Sequence, residues 1–341
     1  MTIYYRPIPQ IDPVRPDGAC PLAGGTAWFT HAERITRDGN AKIVPAADVP
    51  DDWCTALTAP RAPICGMSMD RMRLMGILNV TPDSFSDGGV HADVDEAVAR
   101  ADAMRAAGAD LIDIGGESTR PGAEDVAVEE EIARIVPVIA ALMARSAPPI
   151  ISLDTRKSAV ARAGLEAGAA IINDVSGLRF DPDLAALAAD RGAPLVLMHS
   201  IATPQTMQAQ ADTAYGDVLL DVFDGLARAV AKATDAGVSR DRIVVDPGIG
   251  FGKTQAQNLA LIQRLSLFHG LGCPVLLGVS RKGFIGQISG EARADRRGPG
   301  SAGVGLWAAG QGIQILRVHD IEMHKQALDL WTASRNGAAP T

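Results

Sequence analysis

From Leu74 onward, short apolar runs alternate with longer stretches that carry a helical period. This alternation is typical of strand–helix units that build a parallel sheet. The predicted strands are LMGILNV (74–80), LIDIG (111–115), IISLD (150–154), IINDV (171–175), PLVLMH (194–199), RIVVD (242–246), PVLLG (274–278) and IQILRV (313–318).

The segments between these runs repeat apolar residues at helical spacing. Residues 94–104 form one such stripe, with Asp93 predicted as the N-cap and Gly108 as the stop signal. A second stripe covers residues 128–143 and contains Pro137, which predicts a kink. Eight strand–helix units predict a (β/α)8 TIM barrel. A doubly wound open sheet is the alternative, but no GxGxxG follows the first strand to support it.

The first 72 residues differ in composition and pattern, because they are rich in proline and show no long helical period. The segment AERITRDGNAKIV alternates around Asp38 and Gly39, which predicts a β-hairpin with a type I′ turn. We therefore predict an N-terminal accessory extension, residues 1–72, and a barrel domain, residues 73–341. The extension is expected to pack on the barrel through Trp28 and Phe29, and a floppy extension is the alternative.

Composition narrows the class of protein. Hydrophobic residues make up 47% of the 341 positions, which is enough for a large core. A net charge of −8 argues against nucleic acid as the main partner, because phosphate contacts need clustered Lys and Arg. The N-terminus lacks a signal-peptide pattern, no apolar stretch is long enough for a membrane span, and the four cysteines show no CxxC spacing. We expect a cytoplasmic protein with small-molecule substrates and no membrane partner.

Polar residues follow almost every predicted strand. Barrel enzymes place their active sites at the carboxyl ends of the strands, so these residues are expected to meet there. Single Asp or Asn residues at strand ends are also common as helix caps, and Asp174 and Asp320 are interpreted as caps or as groups that support the site residues. The candidates are Asn79, Asp154, Asn173, His199, Asp246, Ser280, Lys282, Arg317 and His319.

These residue types point to a particular kind of ligand. Arg120, Lys282, Arg317 and His319 suit an anionic, phosphate-like group. Asp154, Asn173 and Asp246 suit a flat heterocycle with neighbouring N–H donors, and Met198, Ile249 and Phe251 supply apolar surface. The loop DPGIGFGKT (246–254) allows close approach of the backbone but lacks the spacing of a nucleotide P-loop. The predicted site binds and orients a substrate with an anionic leaving group.

Seven segments, in order, resemble the dihydropteroate synthase family. They cover residues 73–335 almost completely, and such a set is far more specific than a single motif. The segments are ILNVTPDSFSDGG (77–89), IDIGGESTRPGA (112–123), SLDTRK (152–157), IINDVSG (171–177), DPGIGFGKT (246–254), GVSRKGFIG (278–286) and ILRVHD (315–320).

The resemblance implies that p-aminobenzoate displaces pyrophosphate from 6-hydroxymethyl-7,8-dihydropterin diphosphate. It implies Mg²⁺ at Asn79, the pterin on Asp154, Asn173, Asp246 and Lys282, and phosphates on Arg317 and His319. Asp246, Lys282, Arg317 and His319 are the residues expected to carry catalysis. The aminobenzoate would be surrounded by Phe85, Pro121, Phe251, Ser280 and Lys282.

The resemblance also implies features beyond the central pocket. Residues 79–89 would close over the site, and Thr119, Arg120 and Pro121 would lie on a second closing loop. Family members are homodimers and sulfonamide targets. The segment MHSIATPQTMQ (198–208) departs from the family pattern at Ser200, Ile201 and Ala202. Two alternatives stay open, a pterin-binding methyltransferase domain and a catalytically silent pterin-binding paralogue.

Overall fold

The beginning of the chain forms small antiparallel sheets and one helix. The computed structural model describes residues 2–81, 90–118, 125–201 and 211–338. A three-stranded sheet, in the order β1-β4-β5, lies beside a two-stranded pair, β2-β3. The elements are β1 (Ile3–Pro7), β2 (Cys20–Pro21), β3 (Trp28–Phe29), β4 (His31–Thr36), β5 (Ala41–Pro45) and α1 (Asp51–Thr58).

Strands β4 and β5 form the predicted hairpin, but its turn is of another type. The Gly39 amide donates to the Thr36 carbonyl at 3.1 Å, and Thr36 donates to the Asn40 carbonyl at 3.0 Å. Gly39 adopts a positive φ of 84°, and Asp38 does not. The predicted type I′ turn is therefore wrong. One extra residue converts it to a three-residue turn in which only the glycine needs the left-handed conformation.

The eight predicted strands form one parallel sheet that closes into a barrel. The order of its strands is β11-β10-β9-β8-β7-β6-β13-β12. A parallel bridge between Val245 and Val275 joins the two ends, so the TIM barrel is confirmed over the doubly wound sheet. The strands are β6 (Arg73–Asn79), β7 (Leu111–Gly115), β8 (Ile151–Asp154), β9 (Ile171–Asp174), β10 (Leu195–Met198), β11 (Ile243–Asp246), β12 (Leu276–Gly278) and β13 (Ile315–Val318).

Helices connect the strands on the outside of the barrel. Helix α2 (Val90–Ala106) begins three residues before Asp93, so Asp93 lies within the helix and is not its N-cap. Gly108 adopts a φ of 101°, as expected for a stop signal, and the kink at Pro137 stays a prediction. The remaining helices are α3 (Val128–Met143), α4 (Ser158–Ala167), α5 (Asp183–Arg191), α6 (Val218–Asp235), α7 (Gln255–Gln263), α8 (Gly283–Ser289), α9 (Gly298–Gly310) and α10 (Ile321–Asn336).

The interior of the barrel has an apolar floor beneath a polar layer. The floor combines inward-facing strand residues with three side chains that precede β6, namely Ile64, Met67 and Met69. The strand residues are Met75, Leu111, Ile171, Val196, Val244, Leu276 and Ile315. Two residues further along four of these strands come Asp113, Asn173, Asp246 and Arg317. Because strand side chains alternate with period two, these polar residues face the interior one layer higher.

The extension packs against α6 and the short 3₁₀ helix Leu265–Leu271. Trp53 stacks on Phe223 of α6 with 5.5 Å between ring centroids, and Tyr4 meets the same ring edge-on at 5.6 Å. Phe29 instead lies in a cluster formed by the extension itself. Tyr4 and Trp53, not Trp28 and Phe29, therefore provide the aromatic contact with the barrel. The division between residues 72 and 73 stays a prediction.

In the part of the chain that the structure describes, no helix is both long and apolar enough to cross a bilayer.

Candidate active site

The parallel register brings the predicted polar residues to the same end of the barrel. Asn79 pairs with Gly115, Gly115 pairs with Asp154, and Asp154 pairs with Asn173. On the opposite wall Met198 pairs with Asp246, and Gly278 pairs with Arg317. All these positions lie at the carboxyl ends of their strands, where barrel enzymes carry their active sites.

Asp113 lies at the centre of this layer. Its side chain is completely buried and accepts hydrogen bonds from residues of three other strands, β8, β9 and β13. Ser152 Oγ donates at 2.6 Å, Asn173 Nδ2 at 3.1 Å, and Arg317 Nε at 2.5 Å. A charged guanidinium and two neutral donors thus compensate the desolvation of this carboxylate. Asp113 holds two of the predicted site residues, Asn173 and Arg317, in fixed orientations.

Arg317 links Asp113 to Asp154. Its Nη2 donates to Asp154 Oδ2 at 2.9 Å, so the guanidinium bridges two carboxylates. Burial raises the pKa of Asp154, the charge of Arg317 opposes that shift, and the nearby Asp113 adds to it. Asp154 Oδ1 is buried and finds no hydrogen-bond partner among the described residues. That oxygen is free to accept an N–H donor from a ligand.

Asp246 ends β11 and is held by the glycine-rich loop that follows it. Gly248 donates its backbone N–H to Asp246 Oδ1 at 2.7 Å. Gly248 has a φ of 68°, and a Cβ atom there would lie 2.0 Å from the carbonyl oxygen of His199, so only glycine fits. Burial raises the pKa of Asp246, while the Gly248 amide and Lys282 oppose the shift.

Lys282 approaches the same loop from the other side. Its ammonium donates to the Ile249 carbonyl and lies 4.4 Å from the centroid of the Phe251 ring. Burial lowers the pKa of Lys282 to about 8, with Asp246 opposing and Arg317 reinforcing that shift. Lys282 and Arg317 therefore lie close enough to Asp246 to oppose the rise of its pKa, and Arg317 does the same for Asp154.

Ser280 and His319 meet at the mouth of the barrel. The backbone N–H of His319 donates to Ser280 Oγ at 3.1 Å, and its ring Nδ1 lies 3.0 Å from the same oxygen. The contact fixes the imidazole beside Ser280. Asp320 instead binds the Arg281 guanidinium, with 2.9 Å from Nε to Oδ2, and Asp174 accepts the Ser176 and Leu178 amides at 2.7 and 2.6 Å. Asp174 therefore caps the turn after β9, whereas Asp320 occupies the N-cap position of α10 without a side-chain capping bond and binds Arg281 instead.

A buried ionic network lies beside the site and was not predicted. Glu117 accepts from Arg156 Nε and from Lys157 Nζ, each at 3.0 Å. Lys157 also donates to Glu131 at 2.7 Å, and Arg156 lies 4.1 Å above the Phe180 ring. The network anchors the segment that follows β7 to the start of α4. Phe85, Thr119, Arg120 and Pro121 lie outside the described residues.

Sequence reasoning also missed Asp113 and Lys253. The signal at Asp113 is a charged residue inside the apolar run LIDIG, whereas the predicted site residues follow the ends of the strands. Lys253 is 2% exposed and lies under the glycine-rich loop. A lysine closing a glycine-rich loop resembles a phosphate contact in sequence, and its burial under the backbone is visible only in the structure.

Comparison with known proteins agrees with this geometry. The pterin binding enzyme family model matches residues 75–319. The dihydropteroate synthase of Bacillus subtilis is 43% identical over 267 residues, which are 78% of this chain and 90% of that protein. The chain belongs to the dihydropteroate synthase family. Its members are transferases of the alkyl and aryl class.

A solved structure of the family has the same fold. Dihydropteroate synthase of Xanthomonas albilineans with 4-aminobenzoic acid superposes with a TM-score of 0.75 and 45% identity, covering 82% of this chain and 99% of that one. A probable bifunctional folylpolyglutamate synthase/dihydropteroate synthase of Haloferax volcanii is 48% identical over 267 residues. The match covers 78% of this chain and 31% of that protein, so the chain spans about a third of this longer relative.

Proposed function

We propose that this chain condenses p-aminobenzoate with 6-hydroxymethyl-7,8-dihydropterin diphosphate, giving 7,8-dihydropteroate and pyrophosphate. The observation that carries the proposal is one polar layer at the barrel mouth, in which Arg317 bridges Asp113 and Asp154. The layer combines acceptors for a heterocycle with cations for a leaving group. Family membership supports the same reaction.

The acceptors of the layer suit the pterin ring. Asp154 Oδ1 is buried without a hydrogen-bond partner among the described residues. Asp246 is also buried, and it pairs with Met198 of the neighbouring strand β10. A carboxylate can accept two adjacent N–H groups, as a pterin presents them. We propose that Asp154, Asn173 and Asp246 hold the ring, that Met198 lies against it, and that the two carboxylates stabilise positive charge on the pterin when the C–O bond breaks.

The cations of the layer suit the diphosphate. We propose that Arg317 and His319 bind the leaving group, with the guanidinium moving part of its hydrogen bonding from the carboxylates to phosphate oxygens. No cluster of three or more His, Cys, Asp or Glu side chains able to hold a metal occurs in the described ranges. Mg²⁺ in phosphate-binding sites keeps phosphate and water ligands and needs few from the protein, so we propose that it enters with the substrate diphosphate.

Asn79 is the proposed protein ligand for this Mg²⁺. It ends β6 and pairs with Gly115 of β7, which in turn pairs with Asp154 of β8. Bound Mg²⁺ would neutralise negative charge on the departing pyrophosphate. The residues of the chain would orient the diphosphate beside Arg317 and hold the pterin next to it.

The aminobenzoate binds, in this proposal, against Phe251, Ser280 and Lys282. Lys282 lies over the Phe251 ring, and Ser280 is fixed by His319. An arylamine is a weak nucleophile, so positioning it close to the pterin methylene carbon is the main contribution of the site. Sulfonamides resemble aminobenzoate in shape and charge, and we expect them to compete for this position. The family resemblance also supports roles for four residues outside the described ranges. Phe85 and Pro121 would surround the aminobenzoate, and Thr119, Arg120 and Pro121 would lie on a closing loop.

A silent pterin-binding paralogue is the alternative that an experiment must exclude. Isothermal titration with dihydropterin diphosphate, together with a turnover assay on the same preparation, separates the two. We expect binding and turnover. Binding without turnover would favour the paralogue, and transfer of a methyl group to a corrinoid would favour the methyltransferase alternative.

We also propose a homodimer located in the cytoplasm. The large apolar side chains Leu259, Ile288, Trp307, Met323 and Leu330 are exposed on α7 to α10, which supports an interface on that side. The four cysteines are free thiols, which is common in a reducing compartment. Light scattering after size-exclusion chromatography tests the dimer directly.

A further inference from the structure

The loop after β11 is held from two sides by lysines. Lys282 donates to the Ile249 carbonyl from the side of the site. From beneath, Lys253 donates to the carbonyls of Gly248 and Phe251, at 2.9 and 3.0 Å. Three of the four carbonyls in residues 248–251 are therefore bound by ammonium groups.

Lys253 also connects this loop to the end of β10. Its Nζ lies 3.3 Å from His199 Nδ1 and 3.4 Å from the His199 carbonyl oxygen. Burial lowers the pKa of His199 well below its ordinary value, and the charges of Lys253 and Arg179 add to that shift. The imidazole is therefore uncharged, and its Nδ1 lies within hydrogen-bonding distance of the lysine. His199, which the sequence indicates as a candidate site residue, is therefore in contact with this buried lysine.

Burying a lysine at this position costs desolvation free energy, so the contacts that compensate this cost need an explanation. Lys253 is 2% exposed, and burial lowers its pKa to about 7, with Asp246 opposing and Lys282 reinforcing the shift. A methionine of similar length would avoid this desolvation. What a methionine could not do is bind the Gly248 and Phe251 carbonyls, which point inward because Gly248, Gly250 and Gly252 adopt positive φ angles.

We propose that Lys253 is a positioning residue for the proposed reaction: its ammonium group fastens residues 248–251 to His199 and thereby sets where Phe251 and the Ile249 carbonyl face Lys282. Three backbone amides report this arrangement. Gly248 donates to Asp246 at 2.7 Å, Gly250 to Asn258 Oδ1 at 2.7 Å, and Phe251 to the Gly248 carbonyl at 3.1 Å. The inference rests on the proposed function only for its kinetic consequence.

The test compares Lys253→Met with the wild type and with a matched control, Lys232→Met. Lys232 also donates to a backbone carbonyl, that of Leu178 at 2.6 Å, but it belongs to α6 and lies outside the proposed site. Hydrogen exchange is measured at the amides of Gly248, Gly250 and Phe251. We expect exchange there to be faster by about tenfold or more in Lys253→Met, because the loop opens more readily. Lys232→Met is expected to leave these amides unchanged.

The kinetic readout is the split between KM and kcat. We expect the KM for aminobenzoate to rise about tenfold in Lys253→Met, with a smaller change for pterin diphosphate, because Phe251 loses its position. A purely structural defect would reduce the active fraction, and so kcat, with both KM values unchanged. Lys253→Gln, which is neutral and shorter, is the second variant and is expected to shift exchange and KM in the same direction.

Two results would overturn the proposal. One is wild-type exchange and wild-type KM for aminobenzoate in whichever of the two Lys253 variants folds. The other is the same loop exchange in Lys232→Met as in Lys253→Met. Absence of turnover in the wild type would overturn the proposed function instead, and the exchange measurement would still decide the role of Lys253.

Discussion

Arg317 donates from Nε to Asp113 Oδ2 at 2.5 Å, and that carboxylate is completely buried in the barrel. The same carboxylate accepts from Asn173, so one group orients both a cation and an amide of the proposed site. Before a ligand binds, Asp113 therefore sets the orientation of both Arg317 and Asn173. The geometry of the site therefore depends on a buried carboxylate at the centre of the polar layer.

Asp113→Asn is expected to lower both stability and activity. The change keeps the shape of the side chain but leaves Arg317 without one of its two carboxylates, and breaking a buried ion pair costs about 3–5 kcal/mol. Urea unfolding measures this loss, and kcat/KM for pterin diphosphate is expected to fall with it. Ser152→Ala is the control, because it removes one neutral donor to Asp113 and should cost about 1 kcal/mol. Equal losses in both variants would contradict the role assigned to the ion pair.

Lys282 is expected to set the alkaline limb of the pH profile. Burial lowers its pKa to about 8, so the ammonium loses its proton, and the site its charge, as pH rises through that value. The kcat/KM for pterin diphosphate, which reports the free enzyme, should therefore fall above pH about 8. Lys282→Arg keeps the charge and should move the limb to higher pH. A limb unchanged in this variant would assign the titration to another group.

Asp246→Asn is expected to reduce kcat/KM by on the order of 10²–10³-fold, since the amide cannot stabilise a cationic pterin as a carboxylate does. The fold should survive, because Asn can still accept from the Gly248 amide. Asp241→Asn, at an exposed position before β11, is the control and should behave as the wild type. Near-normal kcat/KM in Asp246→Asn would contradict the assignment of this residue to the pterin.

The extension is expected to detach when Trp53 is truncated. Trp53 stacks on Phe223 and also meets Tyr5 edge-on at 5.7 Å, but it is only half-buried, so Trp53→Ala should destabilise the chain by about 3 kcal/mol. Limited proteolysis should then remove the residues that precede Ile64 early, because Ile64, Met67 and Met69 remain in the barrel floor. Arg37→Ala is the control, because its ion pairs with Asp221 and Asp224 are partly exposed and contribute about 1 kcal/mol or less. Equally rapid cleavage of the wild type would show that the packing is weak.

The strands and the barrel could be predicted because their signals are local. Alternating apolar runs and helical stripes indicate each unit, and Asp246 or Asn173 stand out where a run ends. Asp113 escaped notice because its meaning depends on Arg317, which is 204 positions away. Trp53 was missed for the same reason, since its partner Phe223 belongs to α6. Long-range pairing decides which polar or aromatic residue matters, and one sequence carries little information about it.

The most direct measurement is the yield of products from purified protein with p-aminobenzoate and dihydropterin diphosphate, with Mg²⁺ or with EDTA. The proposal predicts equal amounts of 7,8-dihydropteroate and pyrophosphate with Mg²⁺, little of either with EDTA, and a large reduction of both in Asp246→Asn. Tight binding of the pterin diphosphate without formation of either product would contradict it.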